Sequence, residues 1–187
     1  VRYKGETIVK TPMDYNLAIE IAKDIISVPN CEVLLSGEKT AYIMPKTEEY
    51  LIRMTKVVQY KTTIIKSLDE IQEDILKVSV CDLSGIANSE KYFADKWSDK
   101  AAAAVSGDQY MDFMDLCVSK GDALKKVQKI YGIYRSECMA FGDNYNDCEM
   151  LKQAEFSYAM ASAADDIKKN ALYVTDSVEK ILRGELL

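Results

Sequence analysis

The chain has 187 residues, 48% hydrophobic and 29% charged, with a net charge of −6 and a sequence pI of about 4.9. This suits one large or two small folded domains and excludes long disorder; the acidic balance argues against nucleic acid as a partner. No histidine is present, so acid–base or metal chemistry falls to Asp, Glu, Lys, Tyr or Cys.

The chain opens at Val1 in "VRYKGETIVK", a hairpin turning at Lys4-Gly5, and so reads as starting in mid-structure with upstream sequence omitted. Residues 11–28 predict a helix, with Thr11 as cap, Pro12 in the first position and Asp14 completing a box-like start. Met13, Leu17, Ile21 and Ile25 form its apolar stripe. "CEVLLSGEKTAYIM" reads as a hairpin of two strands around Ser36-Gly37, residues 47–58 and 68–75 as helices, and "LKVSVCDL" as a strand. Residues 88–98 predict a helix with Tyr92, Phe93 and Trp97 in the core. "AAAAVS" and "QYMDFMDLCV" follow as extended segments.

From residue 119 the texture changes. "SKGDALKKVQKIYGI" is helical and "ECMAFGD" a short strand. "NDCEMLKQA" is a helix, "FSYAM" a strand, "ADDIKKNA" a short helix, "LYVT" a strand and "SVEKILRGEL" a closing helix. Strands alternating with helices indicate βαβ units and a parallel sheet. A boundary is expected near residues 108–118. No apolar run reaches the roughly 20 residues of a membrane span, and no signal peptide opens the chain. The five cysteines lack CxxC spacing, which disfavours zinc and suits reduced thiols in a cytoplasmic protein.

The segment "AFGDNYNDCEML", residues 140–151, places Gly142-Asp143 at the end of a strand and Asp147 at the start of a helix. In open parallel sheets, ligands bind beyond the carboxyl ends of strands. Asp143 and Asp147 can converge there as oxygen ligands of the kind Mg²⁺ takes. The same residues also suit a plain polar turn with a helix cap. An EF-hand is excluded, because positions three and twelve from Asp143 are Tyr145 and Ala154. Lys120, in "CVSKG" ahead of a helix, is a candidate phosphate partner or else a solvated surface lysine.

Taken together, "VSKGDAL", "AFGDNYNDCEML" and "YAMASAADDIKKNALYVTDS" resemble the C-terminal half of a haloacid dehalogenase superfamily phosphatase of the Cof type. The resemblance implies a fold of α/β class. Its parts are a partial Rossmann-like core of parallel strands with helices, and an α/β cap domain with an antiparallel sheet. Residues 1–10 would be a residual core hairpin, 11–110 the cap and 111–187 the C-terminal half of the core. It further implies a Mg²⁺-dependent hydrolase of small phosphorylated metabolites such as sugar phosphates, acting through an aspartyl-phosphate. Lys120 would orient phosphate and carboxylate as the catalytic lysine. Asp143 and Asp147 would serve the metal, and Asn146 would contact phosphate or order the loop.

One departure is large. The family's nucleophile sits in an Asp-x-Asp motif, and no such motif occurs among the 187 residues. Asp82, in "VSVCDLSG", is a poor substitute: position 84 is Ser and the segment falls in the cap. The expectation is a chain that lacks its nucleophile and is inactive alone. It would expose apolar surface beside "CMAF" through which it self-associates or takes up the missing segment. The alternative is a non-catalytic ligand- or protein-binding module derived from the same cap and core; a phosphomutase or an unrelated α/β regulatory domain is less favoured.

Overall fold

The computed structural model describes residues 1–58 and 61–185. It opens on a two-stranded hairpin, Arg2–Tyr3 (β1) against Glu6–Thr7 (β2). Its turn has positive φ at Lys4 and Gly5, 49° and 87°, as a two-residue hairpin loop requires. The chain divides into two compact units, Val1–Val9 with Val118–Leu187, and Lys10–Cys117.

The Lys10–Cys117 unit begins with Tyr15–Ser27 (α1). Asp14, not Thr11, caps this helix, its carboxylate accepting from the Leu17 amide at 2.9 Å. A six-stranded sheet follows, ordered β5-β4-β3-β6-β8-β7. Its strands are Cys31–Ser36 (β3), Ala41–Ile43 (β4), Thr62–Ile64 (β5), Lys77–Asp82 (β6), Ala102–Val105 (β7) and Tyr110–Met114 (β8). Pairing is antiparallel except between β4 and β5, which run parallel.

The helix expected over 47–58 is Glu48–Ile52 (α2) continued by a wider π turn, Arg53–Val57; residues 59–60 lie outside the described residues. Glu90–Trp97 (α3) buries Phe93 and Trp97 but leaves Tyr92 at the surface, contrary to the sequence reading. The strand β8 belongs to this sheet through its pairs with β6 and β7. The unit therefore ends at Cys117. One core joins α1 and α3 to one face of the sheet, and a smaller cluster around Tyr50, Met54, Ile43 and Cys81 lies with α2 on the other.

The remaining unit is a βα succession. Lys120–Tyr131 (α4) leads to Met139–Gly142 (β9), Cys148–Gln153 (α5), Phe156–Met160 (β10), Asp165–Lys168 (α6), Tyr173–Thr175 (β11) and Val178–Leu182 (α7). The three strands are parallel, in the order β11-β10-β9. Their register stacks Phe141, Tyr158 and Tyr173 across the sheet, with ring centroids 5.1 Å apart at each step. Ala140 points the other way and packs with Leu151 and Ala154. Ser119 caps α4 by accepting from the Asp122 amide, and Gly132 ends it in the left-handed conformation at φ 66°.

Candidate active site

The strand β9 ends at Gly142, and the chain turns at once through Asp143 and Asn144 into a 3₁₀ turn, Tyr145–Asp147, that runs on into α5. The turn is locally determined. The Asn144 side chain accepts from the Tyr145 amide at 2.8 Å, and Asp147, three residues on, reaches back to the Asn144 amide at 3.2 Å. Asp147 also accepts from the Asp143 amide at 3.0 Å. This tight return needs Gly142: a Cβ there would lie 2.5 Å from Asp147 Cβ.

Lys120, the first residue of α4, meets this turn. Its Nζ lies 2.5 Å from Asp147 Oδ1 and 3.5 Å from Asn146 Oδ1. The approach of α4 to α5 is close because Gly121 follows; a Cβ at Gly121 would lie 2.6 Å from Glu149 Cβ. The Asp147 side chain is only 5% exposed, whereas that of Lys120 is 52% exposed. Burial alone would push the Asp147 carboxyl up. The Lys120 hydrogen bond, the two backbone amides and the lysine charge outweigh it and hold the carboxyl below the usual carboxylate range. Asp147 thus stays ionised with both oxygens engaged.

The structure therefore brings Lys120, Asn146 and Asp147 into contact and ties Asp143 to them through its backbone. The Asp143 carboxylate is exposed and makes no hydrogen bond or ion pair with a described residue. It is the carboxylate free to hold a cation. No cluster of three or more Cys, Asp or Glu side chains able to hold a metal occurs among the described residues. One or two carboxylates completed by water and phosphate oxygens are nevertheless a donor set that Mg²⁺ accepts. Asp82 lies in β6 of the other unit, 3% exposed, its carboxylate taken by the Ser84 amide and hydroxyl and the Ser89 hydroxyl.

Two contributors escaped the sequence reading. Asn144 is the cap of the turn, and the Asn-x-x-Asp spacing to Asp147 was the available sign. Tyr145 donates to Asp166 at 2.8 Å and fastens the turn to the start of α6. No local pattern announces a pairing 21 residues apart.

A parallel βα unit with a lysine and an acidic turn at one strand's carboxyl end places the protein in the class of α/β folds whose ligands bind at that end of the sheet. Residues 1–181 match the haloacid dehalogenase-like hydrolase family, and the chain belongs to it. It is 24% identical over 193 residues to the 5-amino-6-(5-phospho-D-ribitylamino)uracil phosphatase YbjI of Escherichia coli strain K12, covering 97% of this chain and 71% of the relative. A Eubacterium rectale structure shares the fold with a TM-score of 0.83 at 22% identity, covering 98% of this chain and 73% of that one. The subclass IIB sugar phosphatase BT4131 shares it at 0.75 and 17%, covering 96% and 70%. The chain thus spans about seven-tenths of these relatives' length.

Proposed function

We propose that these residues are the lysine and acidic-loop part of a Mg²⁺-dependent phosphatase of small phosphorylated metabolites, sugar phosphates among them. The supporting observation is the Lys120–Asp147–Asn146 contact at the carboxyl end of β9. The names of the two phosphatases above point to the same substrate class. Lys120 is half-exposed, and its ammonium has donor capacity left for an anion once Asp147 and Asn146 are met. Asp147 fixes where that charge stands. Asp143 would hold the metal directly, with Asp147 keeping the turn in shape behind it, and Asn146 would face phosphate. When bound, Mg²⁺ would neutralise phosphoryl oxygens. Turnover would pass through an aspartyl-phosphate.

The attacking carboxylate is not among these 187 residues, which contain no Asp-x-Asp. Without it the lysine and loop have nothing to orient, and the 187-residue polypeptide is inactive by itself. Met139, Phe156 and Tyr173 are 42%, 40% and 45% exposed on one face of the β9–β11 sheet, an apolar row suited to self-association or to cover by further chain. The lack of an Asp-x-Asp also leaves a second, less favoured reading, a non-catalytic binding module. The coding sequence upstream of Val1 separates the two readings. An in-frame Asp-x-Asp after an apolar strand supports the enzyme. Its absence, or Mg²⁺-dependent hydrolysis of p-nitrophenyl phosphate by the 187 residues alone, overturns the assignment. In a polypeptide extended to include that motif, Asp143→Asn is expected to lower turnover about a hundredfold, and intact activity would remove Asp143 from the site.

A further inference from the structure

The Lys10–Cys117 unit contains a cavity of about 560 Å³ lined by Arg53, Leu83, Ser84, Gly85, Gly107, Asp108, Gln109 and Tyr110. Its volume falls within the range of small-molecule sites. The loops forming its rim are tied together: the Asp82 amide donates to Gln109 O at 2.9 Å, the Ile86 amide to Asp108 O at 2.8 Å, and Gln109 Nε2 to Leu83 O at 2.6 Å. Gly85 and Gly107 have φ of 117° and 143°, conformations that side chains rarely adopt, so both loops hold shapes that leave the cavity open.

Arg53 is the positive charge of this cavity. It sits in the π turn after α2, an irregularity often found at functional sites. Its Nε donates to the Tyr110 hydroxyl at 3.1 Å, and its guanidinium carbon lies 5.6 Å from that ring's centroid. The guanidinium is therefore oriented. No carboxylate of a described residue pairs with it, and its two terminal amino groups make no hydrogen bond to a described residue. Asp82, the buried carboxylate nearest in sequence to the rim, is consumed by Ser84 and Ser89. A fixed guanidinium fork with open donors is a geometry that binds carboxylate or phosphate in two places at once. Asp108, exposed and without a side-chain partner among the described residues, offers an acceptor to hydroxyl groups on the same wall.

We infer that this cavity is a binding site for a small hydroxylated oxyanion, its anionic group on the Arg53 fork and its hydroxyls toward Asp108. The site goes beyond the phosphatase reading and does not depend on the acidic loop.

The test is a residue-resolved NMR titration of the 187-residue protein with D-gluconate, glucose 6-phosphate, inorganic phosphate and neutral glucose. Saturable shifts at the Gly85, Gly107 and Tyr110 amides with either hydroxylated anion are expected, and which anion saturates first tells carboxylate from phosphate. Arg53→Lys keeps the charge but loses the fork and should weaken binding about tenfold. Asp108→Asn, at a side chain that supports nothing else, should weaken the hydroxylated anions while leaving inorganic phosphate no weaker. Lys120→Ala should leave these shifts in place. No saturable shift at the three amides, equal binding of neutral glucose, unchanged affinity in Arg53→Lys or equal effects of Asp108→Asn on all anions would each overturn the proposal.

Discussion

Asp147 is a carboxylate whose surroundings decide its charge. Burial works against ionisation, yet a lysine and two amides more than offset it. Its folded-state pKa lies below the unfolded value of about 3.9. The stabilisation this provides is present above about pH 4 and is lost as the pH falls through the folded pKa. Asp24, held down by Lys96, Trp97 and Tyr92 against its own burial, acts in the same direction. Asp147→Asn is expected to lower stability at pH 7 by about 1–2 kcal/mol, the worth of a charge-assisted hydrogen bond with Lys120 half in solvent. It should also flatten the acid limb below about pH 4. Urea unfolding at pH 7, 4 and 3 measures both; a mutant whose deficit is the same at pH 3 as at pH 7 would mean the pair carries no charge-dependent stability. At this scale much was legible: Lys120, Asn146 and Asp147 meet, as the family resemblance implied, while the Asp143 carboxylate that the spacing brought toward Asp147 stays apart and joins the turn through its backbone amide. What stayed hidden was that Asp147 spends both oxygens on the loop and the lysine, because a sequence shows a residue's type but not how many donors surround it.

The pair of helices beneath the site depends on a residue without a side chain. Gly121 stands in the first turn of α4 where a Cβ would come within 2.6 Å of Glu149 Cβ and 2.7 Å of its backbone carbon. Helix propensity alone would make Gly121→Ala stabilising by up to about 1 kcal/mol. Overpacking against backbone that cannot give way costs about 1–3 kcal/mol, so the net sign is reversed. The variant should be destabilised in urea unfolding, with shifted amide resonances along both α4 and α5; a more stable protein would show that the two helices separate freely. Elements were legible wherever local pattern and tertiary contacts agreed, as in β3, β6 and α1. They were misread where distant contacts prevailed. Leu68, Ile71 and Ile75 have helical spacing and are buried, yet only Leu68–Glu70 forms a single 3₁₀ turn. Beyond it Glu73 accepts from the Glu38 and Lys39 amides and the Tyr42 hydroxyl, and the Leu76 amide donates to Ser36 O. These partners, more than thirty residues away, hold the backbone extended. The strand β5 escaped for the converse reason: three residues on a sheet edge carry too little periodicity to read.

The two units hold themselves together by unequal means, and local stability should follow. In the Lys10–Cys117 unit, Ile21, Ile25, Val33, Leu35, Val78, Val80, Phe93 and Phe113 are fully buried around a six-stranded sheet. In the other unit a three-stranded sheet rests on a smaller cluster of Ala140, Leu151 and Ala154, with Leu124, Cys138, Met150 and Ala171 only partly buried against it, while Met139, Phe156 and Tyr173 stay open to solvent. Burial of large side chains supplies about 1.5–3 kcal/mol each, and alanines supply far less. Opening free energies differ across a fold in step with such packing. Native-state hydrogen exchange should therefore find the central amides of β3, β6 and β8 protected at least about tenfold more than those of β9, β10 and β11. A ligand that adds cover to the aromatic face of β9–β11 should narrow this gap by raising protection there alone. Equal protection in the two sheets of the unliganded protein would mean that the thin alanine-lined core is reinforced by something other than burial, and the apolar row on its open face would then need no cover.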